Sequence, residues 1–154
     1  MRQETLVPCQ PRPFRTTTVA DTAAAEAMPD LVKRDSTADR PGIKFVGDTT
    51  YVHTWQGFIY LATVIDCYSK RVAGWAIEDH MRSELVERAL SNAAATTRME
   101  PNAIWHSDRG SVYTSASFRA LLTGLGMRSS IGKTGISWRL AYLVVTRRQR
   151  GSEH

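Results

Sequence analysis

From Phe45 to Ile131 the apolar positions follow two different periods, and the switches between them mark out the elements. Residues 45–53 (FVGDTTYVH) are dense in β-branched and aromatic types and predict a first strand, with Trp55-Gln56-Gly57 as the turn behind it. Residues 60–67 (YLATVIDC) are apolar on both faces, the pattern of a central strand. The connection Tyr68-Ser69-Lys70-Arg71 leads into a third strand at 72–77 (VAGWAI), so three strands joined by short links predict an antiparallel meander. The period then changes to that of a helix. Leu85, Val86, Ala89, Leu90 and Ala93 share one face, Ser83 is placed to cap, and Glu84 and Glu87 suit the positive end of the dipole. Residues 103–107 (AIWHS) predict a fourth strand, which the intervening helix allows to run parallel to the first. Ser115 can cap a second helix with Phe118, Leu121, Leu122 and Leu125 on one face and Gly124 and Gly126 at its end, and 127–131 predict a short fifth strand.

The order β-β-β-α-β-α-β makes the fold class α/β: a mixed sheet, three antiparallel strands followed by parallel ones, flanked by helices. Residues 1–42 read as a linker, interrupted by Pro8, Pro11, Pro13, Pro29 and Pro41, with room for a short helix at 22–28 but for no core element. Residues 43–138 form the core, and 139–154 form a basic tail of different character.

Composition narrows the function classes. With 42% apolar and 23% charged residues the chain has the make-up of a soluble globular protein, and no apolar run reaches the length of a membrane span. The first residues, MRQETLVPCQPRPFR, lack the apolar stretch of a signal peptide, so a cytoplasmic location is expected. Cys9 and Cys67 stand in unlike contexts far apart, and the four histidines lack zinc-ligand spacing, which argues against a disulfide framework or a zinc site. Charge is unevenly distributed. Residues 1–108 hold 12 Lys/Arg against 14 Asp/Glu, whereas residues 109–154 hold 8 against the single Glu153. A last third carrying +7 suits a polyanion such as DNA, or is simply a solvated end. Arg109, Lys133, Arg147, Arg148 and Arg150 are the candidate DNA contacts.

Two carboxylates carry the candidate chemistry. Asp48 interrupts an otherwise apolar, Gly or Thr strand, where an unpaired acid is costly to bury. Asp108 stands where the fourth strand gives way to a loop. If strands one and four are parallel neighbours, the two acids converge at one end of the sheet and repel unless a divalent cation lies between them. The simpler account leaves Asp48 solvated at an edge and Asp108 shaping an Asp-Arg-Gly turn. Asp66 is a rival ligand, placed roughly across from Asp48, although an acid there can also bond the backbone of the turn that follows. His106 shares a strand face with Asp108, either as a catalytic group or as a partly buried ring with a backbone partner. Trp55, Trp75, Trp105 and Trp138 are expected to pack in the core or against the sheet.

Three stretches carry a resemblance: PDLVKRDSTADRPG (29–42), FVGDTTYVHTWQGFIYLATVIDCYSKRVAGWAIEDHMRSELVERAL (45–90) and IWHSDRGSVYTSASFRALLTGLGMRSSIGKTGISW (104–138). Together they resemble the catalytic core of insertion-sequence transposases of the retroviral-integrase type, the product of a second reading frame in a common bacterial family. The resemblance implies a ribonuclease H-like fold. It also implies a site of two Asp and one Glu that binds Mg²⁺ or Mn²⁺, at which water or a DNA 3′-hydroxyl attacks a phosphodiester. Asp48 matches the first acid, in Gly-Asp-x-Thr, and Asp108 the second, in His-Ser-Asp-x-Gly. The partners implied are DNA, as transposon ends and target, and intact transposase or further copies of the chain.

The third acid has no counterpart. In the family the Glu lies on a helix within Asp-Asn-Ala-x-x-Glu-Ser, but here Arg139-Leu140 stand where Asp-Asn belongs and the Glu position falls on Val144. No Asp or Glu occurs between Arg109 and Ser152, so no small shift of alignment restores a ligand. The C-terminal helix is therefore expected to be altered or missing, and the chain to look truncated. DNA cleavage and strand transfer are expected to be impaired. A regulator that binds DNA or intact transposase, and an inert relic, are the alternatives.

Overall fold

The computed structural model describes residues 29–132 apart from positions 34 and 109. The proposed helix at 22–28, Cys9, Trp138 and the tail at 139–154 lie outside the described residues. Five strands form one sheet: β1 (Lys44–Thr54), β2 (Gly57–Asp66), β3 (Val72–Glu78), β4 (Ile104–Ser107) and β5 (Arg128–Ile131). Their spatial order is β3-β2-β1-β4-β5, with β1–β2 and β2–β3 antiparallel and β1–β4 and β4–β5 parallel. The helices among the described residues are α1 (Ser83–Thr96), α2 (Ser111–Thr114) and α3 (Ala116–Gly124). The mixed sheet expected from the sequence is present. The single turn α2 was not foreseen, because four residues carry too little periodicity to register.

Cross-strand partners share a sheet face, so the register sorts the side chains. Phe45, Gly47 and Thr49 lie with Val64, Ala62, Gly74, Ala76 and Trp105 on one face, and the helices cover it. Leu85, Leu90, Ala93, Phe118 and Leu122 close over Phe45, Val64 and Trp105, all of them buried. Two glycines make this approach feasible. A Cβ on Gly74 would meet the backbone of Ala93, 2.7 Å from its Cα. A Cβ on Gly47 would lie 3.1 Å from Cε2 of Trp105 and nearer still to Cζ2 and Cη2. The indole thus occupies the space that a side chain at position 47 would need.

The opposite face carries Asp48, Thr63 and Trp75 in one row, and Thr50, Leu61 and Ile77 in the next. Trp75 is 57% exposed there and Trp55 fully exposed at the β1–β2 turn, so only Trp105 among the described tryptophans is a core residue. Part of this face is covered by residues expected to be only linker. The Leu31 N–H donates to Ser130 Oγ (2.9 Å), Val32 is buried, and the Lys44 ammonium donates to the carbonyls of Asp35 (3.0 Å) and Thr37 (2.6 Å). An apolar pair, Leu31-Val32, was enough to dock a Pro-flanked stretch.

Caps divide the helices. Ser115 caps α3 as expected, its Oγ accepting from the Phe118 N–H (3.2 Å). Ser83 instead is the first residue of α1, and the cap position falls to Arg82, which makes no side-chain cap bond. No helix among the described residues is long and apolar enough to cross a membrane.

Candidate active site

Asp48 sits in mid-β1 and Asp108 one residue beyond the end of β4. The parallel register pairs Phe45 with Trp105 and Val46 with His106 and ends there, so Asp48 and Asp108 each lie two residues beyond the last pair, at the same end of the sheet. Electrostatics agree with that placement. Burial holds the Asp48 carboxyl above the usual carboxylate range, the negative charge of Asp108 pushes it the same way, and a backbone hydrogen bond from Thr49 opposes both. Asp48 is half-buried, so its charge is only partly solvated.

The surroundings fix both acids. One oxygen of Asp108 accepts from the Gly110 N–H (2.9 Å), which shapes the chain as it leaves β4. The turn role expected of Asp108 is present, and it leaves the second carboxylate oxygen outside that bond. The Tyr113 hydroxyl shares a 2.8 Å hydrogen bond with Thr49 Oγ1 and ties the residue after Asp48 to α2. Burial raises the Tyr113 phenol well above its ordinary value, so it stays protonated as a hydrogen-bonding group. The ring itself lies in an aromatic cluster, 6.3 Å from Trp105 and 5.9 Å from Phe118 between centroids. Sequence reasoning missed Thr49 and Tyr113, since nothing in their spacing signals a bond across 64 residues.

The rival acid is resolved by its partners. Asp66 pairs across the ladder with Phe45, while Thr63 faces Asp48. Its carboxylate accepts from the Gly42 N–H (3.2 Å), the Ser69 N–H (2.9 Å) and the Ser69 hydroxyl (2.7 Å), so it organises the β2–β3 turn. His106 is buried with Nδ1 2.9 Å from Ser130 Oγ, a side-chain rather than a backbone partner. Burial holds its imidazole below the ordinary value against an upward pull from Asp30, and Lys44 adds a smaller downward push. Cys67 is buried and its thiol pushed up to about 11, which removes it as a thiolate near neutral pH.

A second acidic group lies apart from the pair. Ligand atoms of Glu78, Asp79 and His80, where β3 ends, lie within 4.8 Å of one another, and Arg88 already forms an ion pair with Glu78. The basic candidates Arg109, Lys133, Arg147, Arg148 and Arg150 lie outside the described residues. Asp48 and Asp108 are both hard oxygen donors, and the charge of Asp108 adds to the cost of ionising Asp48, a combination that suits one divalent cation of the Mg²⁺ type.

Comparison with known proteins agrees with this arrangement. The model of the integrase core domain family matches residues 38–137. The transposase assigned to insertion sequence element IS986/IS6110 in Mycobacterium tuberculosis is 40% identical over 129 residues, 80% of this chain and 46% of the relative. The transposase of IS629 from Shigella sonnei is 39% identical over 114 residues, 74% of this chain and 38% of its own length. The chain thus spans less than half the length of these relatives. Among solved structures, the HTLV-2 integrase catalytic core domain in complex with magnesium superposes with a TM-score of 0.55 at 18% identity, covering 71% of this chain and 66% of that one. The simian T-cell lymphotropic virus intasome does so at 0.60 and 18%, covering 74% and 39%, a likeness of fold. With a family match running from ahead of β1 to beyond β5, the chain belongs to the integrase core domain family.

Proposed function

We propose that this chain is the catalytic-core portion of an insertion-sequence transposase, built on DNA cleavage and strand transfer but lacking one of the three acids that chemistry uses. The observation that carries the reading is the parallel pairing of β1 with β4, which brings Asp48 and Asp108 to one end of the sheet, with the Asp48 carboxyl raised first by burial and then by its neighbour's charge. Asp48 and Asp108 would hold Mg²⁺ or Mn²⁺, which when bound supplies a lowered pKa for an attacking water or hydroxyl and neutralises charge on the phosphate. The chain's own part is positioning. β1 fixes Asp48, the Gly110 N–H orients Asp108, and the Thr49–Tyr113 hydrogen bond holds the two segments together. Trp105, packed against Gly47, stiffens the strand on which Asp48 stands.

The absence of any Asp or Glu between Arg109 and Ser152 makes the metal site weak and the strand-transfer step impaired. The test is twofold. Mn²⁺ should raise the melting temperature of the parent and leave Asp48→Asn and Asp108→Asn unchanged. Matched transposon ends should give no joined product with Mg²⁺ or Mn²⁺. Metal stabilisation that survives both substitutions sinks the site, and efficient joining sinks the impairment.

The +7 balance of residues 109–154 favours a second reading, a regulator that binds DNA or intact transposase in the cytoplasm without cutting. In that case DNA affinity falls steeply with salt, and the slope shrinks when Arg147, Arg148 and Arg150 become Ala.

A further inference from the structure

The β1–β2 hairpin outruns the sheet it belongs to. β3 pairs with β2 only from Tyr60 onward, and β4 pairs with β1 only as far as Val46, so, among the described residues, 51–59 form a two-stranded ribbon with neither flank hydrogen-bonded to another strand. Tyr51 pairs with Tyr60 and His53 with Phe58, which sets four rings on one face of this ribbon. Phe58 meets Tyr51 edge-on at 5.7 Å and His53 at 5.1 Å between centroids. At the tip stands Trp55, fully exposed, in a turn fixed by Thr54 Oγ1 donating to the Gly57 carbonyl (2.8 Å) and accepting from the Gln56 N–H (3.3 Å). Tyr51, at 61%, and Phe58, at 50%, are exposed as well. Fixing a turn so firmly in order to hold an indole in water gains the fold nothing by burial.

Two features say what covers these rings. The ribbon grows directly out of the strand that carries Asp48. At a rise of about 3.3 Å per residue, Tyr51 and Trp55 lie roughly 10 and 23 Å along it, a reach of about three to seven nucleotides of a duplex strand. In addition, no Asp or Glu occurs between Asp48 and Asp66, so the ribbon presents no charge that would repel phosphate. Ring faces on an uncharged arm suit bases, which stack on aromatic side chains whatever their sequence. Resting on the reading of the chain as a DNA-processing core, we propose that the 51–59 ribbon is a stacking arm for unpaired DNA bases beside the phosphodiester held at Asp48 and Asp108, with Trp55 and Phe58 as its principal contacts.

The test uses the full chain and two fluorescent DNA probes, a blunt duplex and the same duplex with a six-nucleotide single-stranded overhang. The parent should prefer the overhang probe. Trp55→Ala should weaken overhang binding about 5- to 100-fold while leaving blunt binding and the salt slope alone, because stacking releases no counterions. Phe58→Ala should act in the same direction, and Trp55→Phe, which keeps a ring, should recover most of the loss. Unchanged melting temperatures guard against misfolding as the cause. Equal affinity of the parent for both probes, or overhang binding unaffected by Trp55→Ala and Phe58→Ala, overturns the arm and leaves the core reading standing. Failure to bind either probe removes both. A change in self-association on Trp55→Ala, with DNA affinity unaltered, overturns the arm by assigning the rings to a second copy.

Discussion

Replacing Gly47 by Ala sets two effects of opposite sign against each other. Gly47 is not in the left-handed region, so Ala can adopt its backbone, and the loss of unfolded-state entropy alone would stabilise the protein by about 0.4–1 kcal/mol. The space above the glycine is filled, however. An added Cβ would sit 3.1 Å from Trp105 Cε2 and closer to two further ring carbons, against an optimal carbon separation of about 3.5–4.0 Å. The indole has little room to retreat. It is 1% exposed and packs against Phe118 (5.4 Å between centroids) and Tyr113. Overpacking of this kind costs about 1–3 kcal/mol, which exceeds the entropic gain. The net expectation is a loss of up to about 2.5 kcal/mol, and each kcal/mol moves the melting temperature of a core this size by about 4–8 °C. Urea unfolding of Gly47→Ala, Trp105→Phe and the double variant measures it. A smaller ring should relieve the clash and give a favourable coupling of about 0.5–3 kcal/mol. A Gly47→Ala protein as stable as its parent, with no coupling to position 105, would refute the argument.

Four further outcomes are expected. Because the folded state holds the Asp48 proton more tightly than the unfolded chain, stability present at low pH is lost as pH rises through the raised folded pKa, above 3.8; Asp48→Asn should flatten that decline in a melting-temperature profile. The same substitution should abolish stabilisation by Mn²⁺, which in the parent amounts to about 1.4 kcal/mol at ten times the dissociation constant. Tyr113→Phe keeps the ring and deletes the 2.8 Å bond to Thr49, costing about 1 kcal/mol in urea unfolding and weakening Mn²⁺ binding through the looser segment after Asp108. Ser115→Ala removes the acceptor for the Phe118 N–H and should cost about 1 kcal/mol without touching Mn²⁺ affinity.

Much of the fold was legible because its signals are local. Val, Thr and aromatic residues at 45–53 and 60–67 specify strands, the Leu/Ala periodicity at 85–93 specifies a helix, and the helix between β3 and β4 permits the parallel pairing that brings Asp108 to Asp48. The candidate acids stood out because a carboxylate within an apolar strand is conspicuous by type alone. What escaped was relational. Trp75 and Trp105 read alike in sequence, yet cross-strand parity places one on the face that carries Asp48, with Thr63 between them, and the other beneath α3. Leu31-Val32 reads as linker until Ser130, 99 residues away, supplies its hydrogen bond. Ser83 and Arg82 differ by one position, a shift that composition cannot resolve.

The pairing of β1 with β4 also sets the order in which the molecule can be made. β1, β2, β3 and α1 are neighbours in sequence and can associate as soon as they leave the ribosome, whereas the β1–β4 ladder joins Val46 to His106 and closes only after everything between has been synthesised. The loop entropy for that step is spent before any native contact of β4 returns it. Two acids sixty positions apart therefore share no environment in the nascent chain, and Asp48 meets its repulsive neighbour only as the last strands dock. On the proposed function, affinity for a divalent ion would be an emergent property of the finished sheet, and metal added during refolding should accelerate nothing before β4 is in place and should trap the product afterwards.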